Sequence, residues 1–183
     1  MPLRLNKLSV LVVEDILPMR NLLVGVLEEF GVGKIYTADH GGHGFSMFQK
    51  HSPDIVITDW SMEPIDGLEM IKMIRTHTAS PNRLVPIILI SGYSAAQRVM
   101  QARDMGVTEF LTKPFTGHDL AKRIAHIINK PRDFVETPQF FGPDRRRRKA
   151  EDYEGPRRRD EEAEFGSNAP QRGTGTPWDI TIE

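Results

Sequence analysis

The sequence predicts an α/β protein in which a doubly wound parallel sheet carries helices on both faces. Short runs of Val, Ile and Leu alternate with longer amphipathic stretches as far as about residue 131. Three of the apolar runs are nearly continuous, which is typical of parallel strands covered on both faces. Regular alternation of strand and helix favours right-handed crossovers, and hence a single parallel sheet.

Five strands and five helices are predicted in order along the chain. The strands span residues 8–13, 34–38, 54–58, 86–91 and 108–112, and the helices span residues 19–30, 44–50, 68–76, 95–105 and 118–129. Gly31 and Gly106 follow the first and fourth helices, where glycine commonly ends a helix. Five such repeats in about 130 residues make one domain of ordinary size.

Composition excludes several classes of protein. Of the 183 residues, 39% are hydrophobic and 27% are charged, as in an ordinary soluble protein. The absence of cysteine excludes disulfides and thiolate zinc sites. No apolar run approaches the roughly 18 residues that span a bilayer, and the first residues lack the pattern of a signal peptide. We therefore expect a cytoplasmic protein with no membrane partner.

The domain boundary is placed at Pro131. Residues 1–131 are predicted to fold, whereas residues 132–183 are predicted to form a charged, largely disordered tail. This tail holds ten basic and twelve acidic side chains but few large apolar ones. Acids follow its arginine block at 145–148, so a solvated spacer is favoured over a protein-docking element or a nucleic-acid binder. The strip from Trp178 to Glu183 alternates apolar and polar residues and could pair with a sheet edge.

Polar side chains stand at the carboxyl ends of the predicted strands, where open parallel sheets bind ligands. They are Glu14 and Asp15 after the first strand, Asp59 after the third, Ser91 at the fourth and Lys113 after the fifth. Three carboxylates in one cleft repel each other, and Mg²⁺ removes that conflict because it accepts carboxylate and phosphate oxygens. A carboxylate beside Mg²⁺, a lysine and a hydroxyl is suited to attack phosphorus and form an aspartyl phosphate.

A glycine-rich segment, GGHG at 41–44, is interpreted as a turn before a helix. It lacks the Lys-Ser/Thr pair of a phosphate-binding loop, so nucleotide binding is not favoured. The neighbouring His40 and His43 are expected at the surface, because no carboxylate-rich metal pattern accompanies them.

The chain resembles the receiver domain of two-component response regulators. The resemblance runs from about Leu8 to Asn129 and rests on the pieces VLVVEDILPMR, TADHGGHGF, PDIVITDWSMEPIDGLE, VPIILISGYS and GVTEFLTKPF, in family order. The segment TDWSM…DGLEM is most similar to chemotaxis-type receivers. The resemblance implies a flavodoxin-like sheet of order 2-1-3-4-5 flanked by five helices.

The resemblance also implies a role for each residue of the acidic site. Asp59 would be the phosphoacceptor. Asp15, Asp59 and the backbone carbonyl of Ser61 would hold Mg²⁺, with Glu14 acting through a water molecule. The phosphoryl donor would be a histidine kinase or a phosphotransfer protein.

Signal output is likewise expected by resemblance. Lys113 would pair with the phosphoryl group, Ser91 would be the switch hydroxyl and Phe110 the switch aromatic. The output face, from Ala95 to Asn129, would bind a protein target, and a phosphorylation-dependent homodimer is left open. No separate catalytic output domain and no nucleic-acid partner are expected.

The chain departs from the family pattern at two places. The usual Met-Pro after the acceptor strand reads Met62-Glu63-Pro64, which adds a negative charge near the metal site. Tyr93 lies two residues past Ser91, where a bulky group could shield an acyl phosphate from water.

Three rival functions are retained. One is a phosphorylation-independent binding module. Another is a phosphohydrolase of the haloacid-dehalogenase type, which also uses a strand-end Asp and Mg²⁺. That class needs a second Asp two places after the nucleophile, where this chain has Ser61. The third is a nucleic-acid binder that acts through the arginine blocks.

Overall fold

The structure is a computed structural model that describes residues 5–92, 96–137 and 140–144; the side chains of residues 96 and 97 are not included. Tyr93, the arginine block and the strip that begins at Trp178 lie outside the described residues. The predictions made for them stay predictions.

Five parallel strands form one sheet in the order β2-β1-β3-β4-β5. The strands are β1 (Ser9–Val13), β2 (Lys34–Ala38), β3 (Ile55–Asp59), β4 (Ile87–Ser91) and β5 (Glu109–Thr112). The helices are α1 (Leu17–Glu29), α2 (Gly41–His51), α3 (Gly67–Thr76), α4 (Ala96–Asp104) and α5 (Gly117–Asn129), and a short 3₁₀ helix (Leu5–Lys7) precedes β1. This confirms the predicted fold class and strand order.

Each face of the sheet is covered by its own group of helices. Alternate strand residues point to opposite faces, so Leu11 and Val13 pack with α2 and α3, while Val10 and Val12 pack with α1 and α5. β3 and β4 are buried along their whole length. The nearly continuous apolar runs in the sequence therefore reflect burial on both faces.

Helix ends follow local sequence signals. Asp66 begins α3 with a capping box, since its side chain accepts from the Glu69 amide while Glu69 accepts from the Asp66 amide. Gly31 and Gly106 have positive φ angles of 76° and 87°, which allows the chain to leave α1 and α4 in the left-handed conformation. The expected glycine stops are confirmed.

The interpretation of GGHG as a turn was wrong, because residues 41–44 form the first turn of α2. His40 supplies the missing start signal: its Nδ1 accepts from the amides of Gly42 and His43 at 3.1 and 3.4 Å. A histidine is not among the preferred capping residues, which explains why the predicted start was late. His43 is exposed as expected, and His40 is half-buried.

A short antiparallel hairpin follows α5, and the sequence did not predict it. Its strands are β6 (Phe134–Thr137) and β7 (Phe140–Pro143). The hairpin lies beyond the boundary placed at Pro131, within the segment expected to be largely disordered. No helix in the described ranges is both long and apolar enough to cross a membrane.

Candidate functional site

The carboxyl ends of four strands meet at one edge of the sheet. In the register, Asp59 lies opposite Ile90 of β4, and Ser91 lies opposite Thr112 of β5. The amide of Lys113 donates to the carbonyl of Ser91 at 2.8 Å, which ties the end of β5 to the end of β4. The edge collects five predicted site residues: Glu14, Asp15, Asp59, Ser91 and Lys113.

Three carboxylates form a cluster at this edge. Glu14, Asp15 and Asp59 each offer one oxygen, and these three oxygens lie within 4.8 Å of one another. Glu14 is completely buried and Asp59 is 6% exposed, whereas Asp15 is open to solvent. A set of carboxylate oxygens that combines buried and open members suits a hard cation that keeps part of its water shell.

Lys113 is the cation that partners the buried acids. Its Nζ lies 2.6 Å from Oδ1 of Asp59 and 3.1 Å from Oε2 of Glu14. Burial alone would lower the pKa of Lys113, but its hydrogen bonds and charge attraction to Asp59 and Glu14 raise that pKa above its ordinary value. The lysine therefore remains a cation in this cleft at neutral pH.

Glu14 is held at the base of the cleft by its own backbone and side chain. Its amide donates to the carbonyl of Ala38 on β2, and its carbonyl accepts from the Arg20 guanidinium at 2.6 Å. Burial, and then repulsion from Asp59, raise the pKa of Glu14, and the contact with Lys113 offsets only part of this. The site thus concentrates more negative charge than one lysine neutralises.

The remaining predicted site residues surround the carboxylate of Asp59. The amide of Ser61 donates to Oδ2 of Asp59 at 3.0 Å. Ser91 is almost fully buried, at 1% exposure. Phe110 is partly buried and packs against the core beneath α2 and α3. Glu63, the unusual acid of this loop, is exposed.

Two glycines that the sequence analysis did not single out as site residues shape the loop after β3. A Cβ on Gly67 would lie 2.0 Å from the carbonyl oxygen of Asp59, and a Cβ on Gly41 would lie 2.7 Å from the carbonyl oxygen of Ile65. The Gly67 and Gly41 amides donate to the carbonyls of Trp60 and Ile65. The start of α3 therefore lies directly against the end of β3 at Asp59, and the start of α2 lies against the loop that follows.

Glu14→Gln is expected to stabilise the metal-free protein at pH 7 by about 1 kcal/mol. The raised pKa means that the folded state binds the Glu14 proton more tightly than the unfolded state, so stability falls as pH rises above the ordinary value of 4.5. The amide removes the charge and can still accept from Lys113. Urea unfolding with EDTA measures the change, and Glu29→Gln, an exposed acid of α1, is the control. A lower stability for Glu14→Gln would contradict this electrostatic account.

Comparison with known proteins identifies the family of the folded part of the chain and agrees with its fold. The family model of the response regulator receiver domain matches residues 10–125. The chain is 28% identical over 127 residues to the chemotaxis protein CheY-3 of Vibrio cholerae, covering 69% of this chain and 96% of that protein. It is also 28% identical over 122 residues to a CheY homologue of Campylobacter jejuni, covering 66% and 92%. The structure of Vibrio cholerae CheY4 superposes with a TM-score of 0.61 at 25% identity, covering 66% and 98%.

The doubly wound sheet with an acidic cleft at its carboxyl edge places the molecule among flavodoxin-like α/β proteins. The family match then identifies the family within that fold class. The chain belongs to the response regulator receiver domains of two-component signalling, and its folded part is similar to chemotaxis receivers.

Proposed function

We propose that Asp59 accepts a phosphoryl group from a histidine kinase or a phosphotransfer protein in a Mg²⁺-dependent step in the cytoplasm. The observation that carries this proposal is the ion pair of 2.6 Å between Lys113 Nζ and Asp59 Oδ1 inside a cluster of three acids. An acid cluster that one lysine neutralises only in part has no structural benefit, whereas it suits binding of a cation and a phosphoryl group.

The transfer exchanges one bond to phosphorus for another. A carboxylate oxygen of Asp59 attacks the phosphorus of a phosphohistidine, the P–N bond breaks with its electron pair, and the released imidazole takes a proton from solvent. Asp59 loses its charge when it becomes an acyl phosphate, so Lys113 exchanges the carboxylate for a phosphoryl oxygen. Ser91, buried at the end of β4, donates its hydroxyl to another phosphoryl oxygen.

The acid cluster fits Mg²⁺. Asp15, Asp59 and the backbone carbonyl of Ser61 would hold the ion, and Glu14 would act through a water molecule. When bound, the ion neutralises charge on the phosphoryl oxygens. The chain's own residues supply the rest: Lys113 is a fixed cation, and the Ser61 amide orients the Asp59 carboxylate.

Exposed apolar residues offer places for protein partners. Ile16 and Leu17, at the start of α1 directly after the acid pair, are 56% and 55% exposed, which suits docking of the phosphoryl donor beside the cleft. On α4, Met100 is 52% exposed and Val99 is 37% exposed. We propose that this second surface, within the face from Ala95 to Asn129, binds the output partner when Ser91 and Phe110 respond to the phosphoryl group.

Intact-protein mass spectrometry after incubation with acetyl phosphate tests the proposal. One phosphoryl adduct is expected with Mg²⁺, and none is expected without Mg²⁺ or in Asp59→Asn. Asp104→Asn, which changes an exposed aspartate at the end of α4, should form the adduct as the wild type does. A wild type that forms no adduct with Mg²⁺ and acetyl phosphate, nor with a panel of phosphorylated histidine kinases, would instead favour a phosphorylation-independent binding module.

A further inference from the structure

The C-terminal hairpin, β6 and β7, packs on a site built around a buried arginine. Arg75, at the end of α3, is 2% exposed. Its Nε and Nη2 both donate to the carbonyl of Gly106, at 3.1 and 2.9 Å, and its Nη1 donates to the carbonyl of Arg83 at 2.7 Å. Burial, with a smaller contribution from Arg83, lowers the pKa of Arg75 to about 9, so it remains a cation at neutral pH.

Two phenylalanines of the hairpin lie against the two arginines. The Arg75 guanidinium carbon lies 5.1 Å from the centroid of the Phe134 ring. The Arg83 guanidinium carbon lies 4.0 Å from the centroid of the Phe141 ring. The two rings also contact each other, with centroids 5.8 Å apart. Arg83 Nε returns a hydrogen bond to the carbonyl of Arg75. Cation–π contacts are attractive, and more so where the cation is desolvated as Arg75 is, so the paired contacts favour a docked hairpin.

The hairpin also touches the turn between α4 and β5. A Cβ on Gly142 would lie 2.8 Å from Cα of Gly106, and a Cβ on Gly106 would lie 3.1 Å from the carbonyl oxygen of Phe141. The two backbones meet only because both residues are glycine. Gly106 additionally has the positive φ that ends α4, so one residue serves the turn, Arg75 and the hairpin at once.

A second anchor fixes the segment that leads into the hairpin. Glu109, at the start of β5, is 7% exposed and faces three groups. His126 Nδ1 lies 2.8 Å, Arg123 Nη1 3.2 Å and Arg132 Nη2 3.5 Å from its carboxylate oxygens. Arg132 lies between α5 and β6, so the chain that leaves α5 is tied to β5 just before the hairpin begins.

We propose that Arg75, Arg83 and Gly106 form an intramolecular docking site at the amino edge of the sheet, that its ligand is the chain's own Phe134/Phe141 hairpin, and that the docked hairpin holds the α4–β5 turn in one conformation. This turn joins two elements of the output face but lies at the edge of the sheet opposite Asp59. The hairpin therefore restricts the output face whether or not Asp59 carries a phosphoryl group.

The coupling is expected to run in both directions. Opening of the turn removes the Gly106 carbonyl from Arg75 and the support from Gly142, which weakens hairpin docking. Undocking of the hairpin in turn exposes Arg75 to water and frees Gly106. If the hairpin were not coupled to the turn, it would undock without changing the conformation of the turn.

Amide hydrogen exchange on the full chain tests this coupling. Phe141→Ala removes the ring that covers Arg83, and Arg83→Ala, a change at a half-exposed side chain, removes the other partner without altering the core. In both variants we expect exchange to rise about tenfold or more in residues 134–137 and 140–143. We expect exchange to rise together with it at the amide of Val107, which donates to the Ala102 carbonyl, and at the amide of Thr108, which donates to the Ile87 carbonyl at the start of β4.

The matched control is Phe30→Ala, the same change of side chain on the opposite face of the sheet, where Phe30 packs with α5. After correction for any change in global stability, Phe30→Ala should leave exchange in the hairpin and at the turn close to the wild-type rate. Faster exchange in residues 134–137 and 140–143 with unchanged exchange at Val107 and Thr108, in both hairpin variants, would overturn the proposal. Unchanged exchange in the hairpin itself would overturn it as well.

Discussion

Lys113→Ala is expected to slow formation of the aspartyl phosphate about 100-fold or more, while the same variant binds Mg²⁺ more tightly than the wild type. The first effect follows from the place of Lys113 Nζ, 2.6 Å from the Asp59 oxygen that becomes part of the acyl phosphate. Removal of one preorganised donor from a site of developing negative charge typically costs a factor of about 10² to 10³ in rate.

The second effect has the opposite sign because Lys113 competes with the metal for the same charge. Without the ammonium group, Glu14 and Asp59 keep their full repulsion, which a divalent cation then relieves. Charges a few Å apart at an effective dielectric of about 20 interact by several kcal/mol, so a tenfold tighter Mg²⁺ dissociation constant, about 1.4 kcal/mol, is a modest expectation.

Two measurements separate these effects. Intact mass against time with acetyl phosphate at saturating Mg²⁺ gives the rate, and calorimetric titration gives the Mg²⁺ affinity. Lys122→Ala, a change at a lysine of α5, is the control and should alter neither quantity. A rate within threefold of the wild type would remove Lys113 from the role of phosphate-pairing cation. Weaker Mg²⁺ binding would show that the lysine supports the metal site instead of competing with it.

The fold and the acidic edge were predictable because the sequence shows where each buried strand begins and ends. A residue at or just after the carboxyl end of a parallel strand lies at the carboxyl edge of the sheet, so the positions of Glu14, Asp59 and Lys113 in the sequence placed them near each other before any distance was known. The buried apolar runs that mark β1, β3 and β4 were equally clear. The roles of these residues rest on the family and on the experiments above.

The unpredicted features depend on contacts between segments distant in sequence. Nothing local marks Arg75 as buried, because arginine on a helix is ordinarily exposed; its burial needs the Gly106 carbonyl and the Phe134 ring. The hairpin was not predicted because its two four-residue strands stand beside charge blocks, and the composition of the whole segment is typical of a disordered chain. Its two phenylalanines pack against two arginines that lie more than fifty residues earlier.

Gly67→Ala is expected to destabilise the protein by about 3 kcal/mol or more and to slow phosphorylation of Asp59 about 100-fold. The added Cβ would lie 2.0 Å from the carbonyl oxygen of Asp59 and 3.1 Å from its carbonyl carbon. Both are backbone atoms and have no rotamer by which to move away. Relief requires a shift of α3 away from β3, which weakens the bond of 3.0 Å from the Gly67 amide to the Trp60 carbonyl.

Gly25→Ala is the matched control, because it makes the same change where nothing lies within 4 Å of the new Cβ. Gly25 is an exposed residue inside α1, so alanine there should stabilise the protein by about 0.5–1 kcal/mol and leave the phosphorylation rate unchanged. Urea unfolding and the mass assay measure both variants. Equal stability changes for the two would mean that α3 does not press on β3 as described. A Gly67→Ala protein that is destabilised yet phosphorylated at the normal rate would show instead that Asp59 keeps its position when α3 moves, and that the loop from Ser61 to Asp66 absorbs the shift.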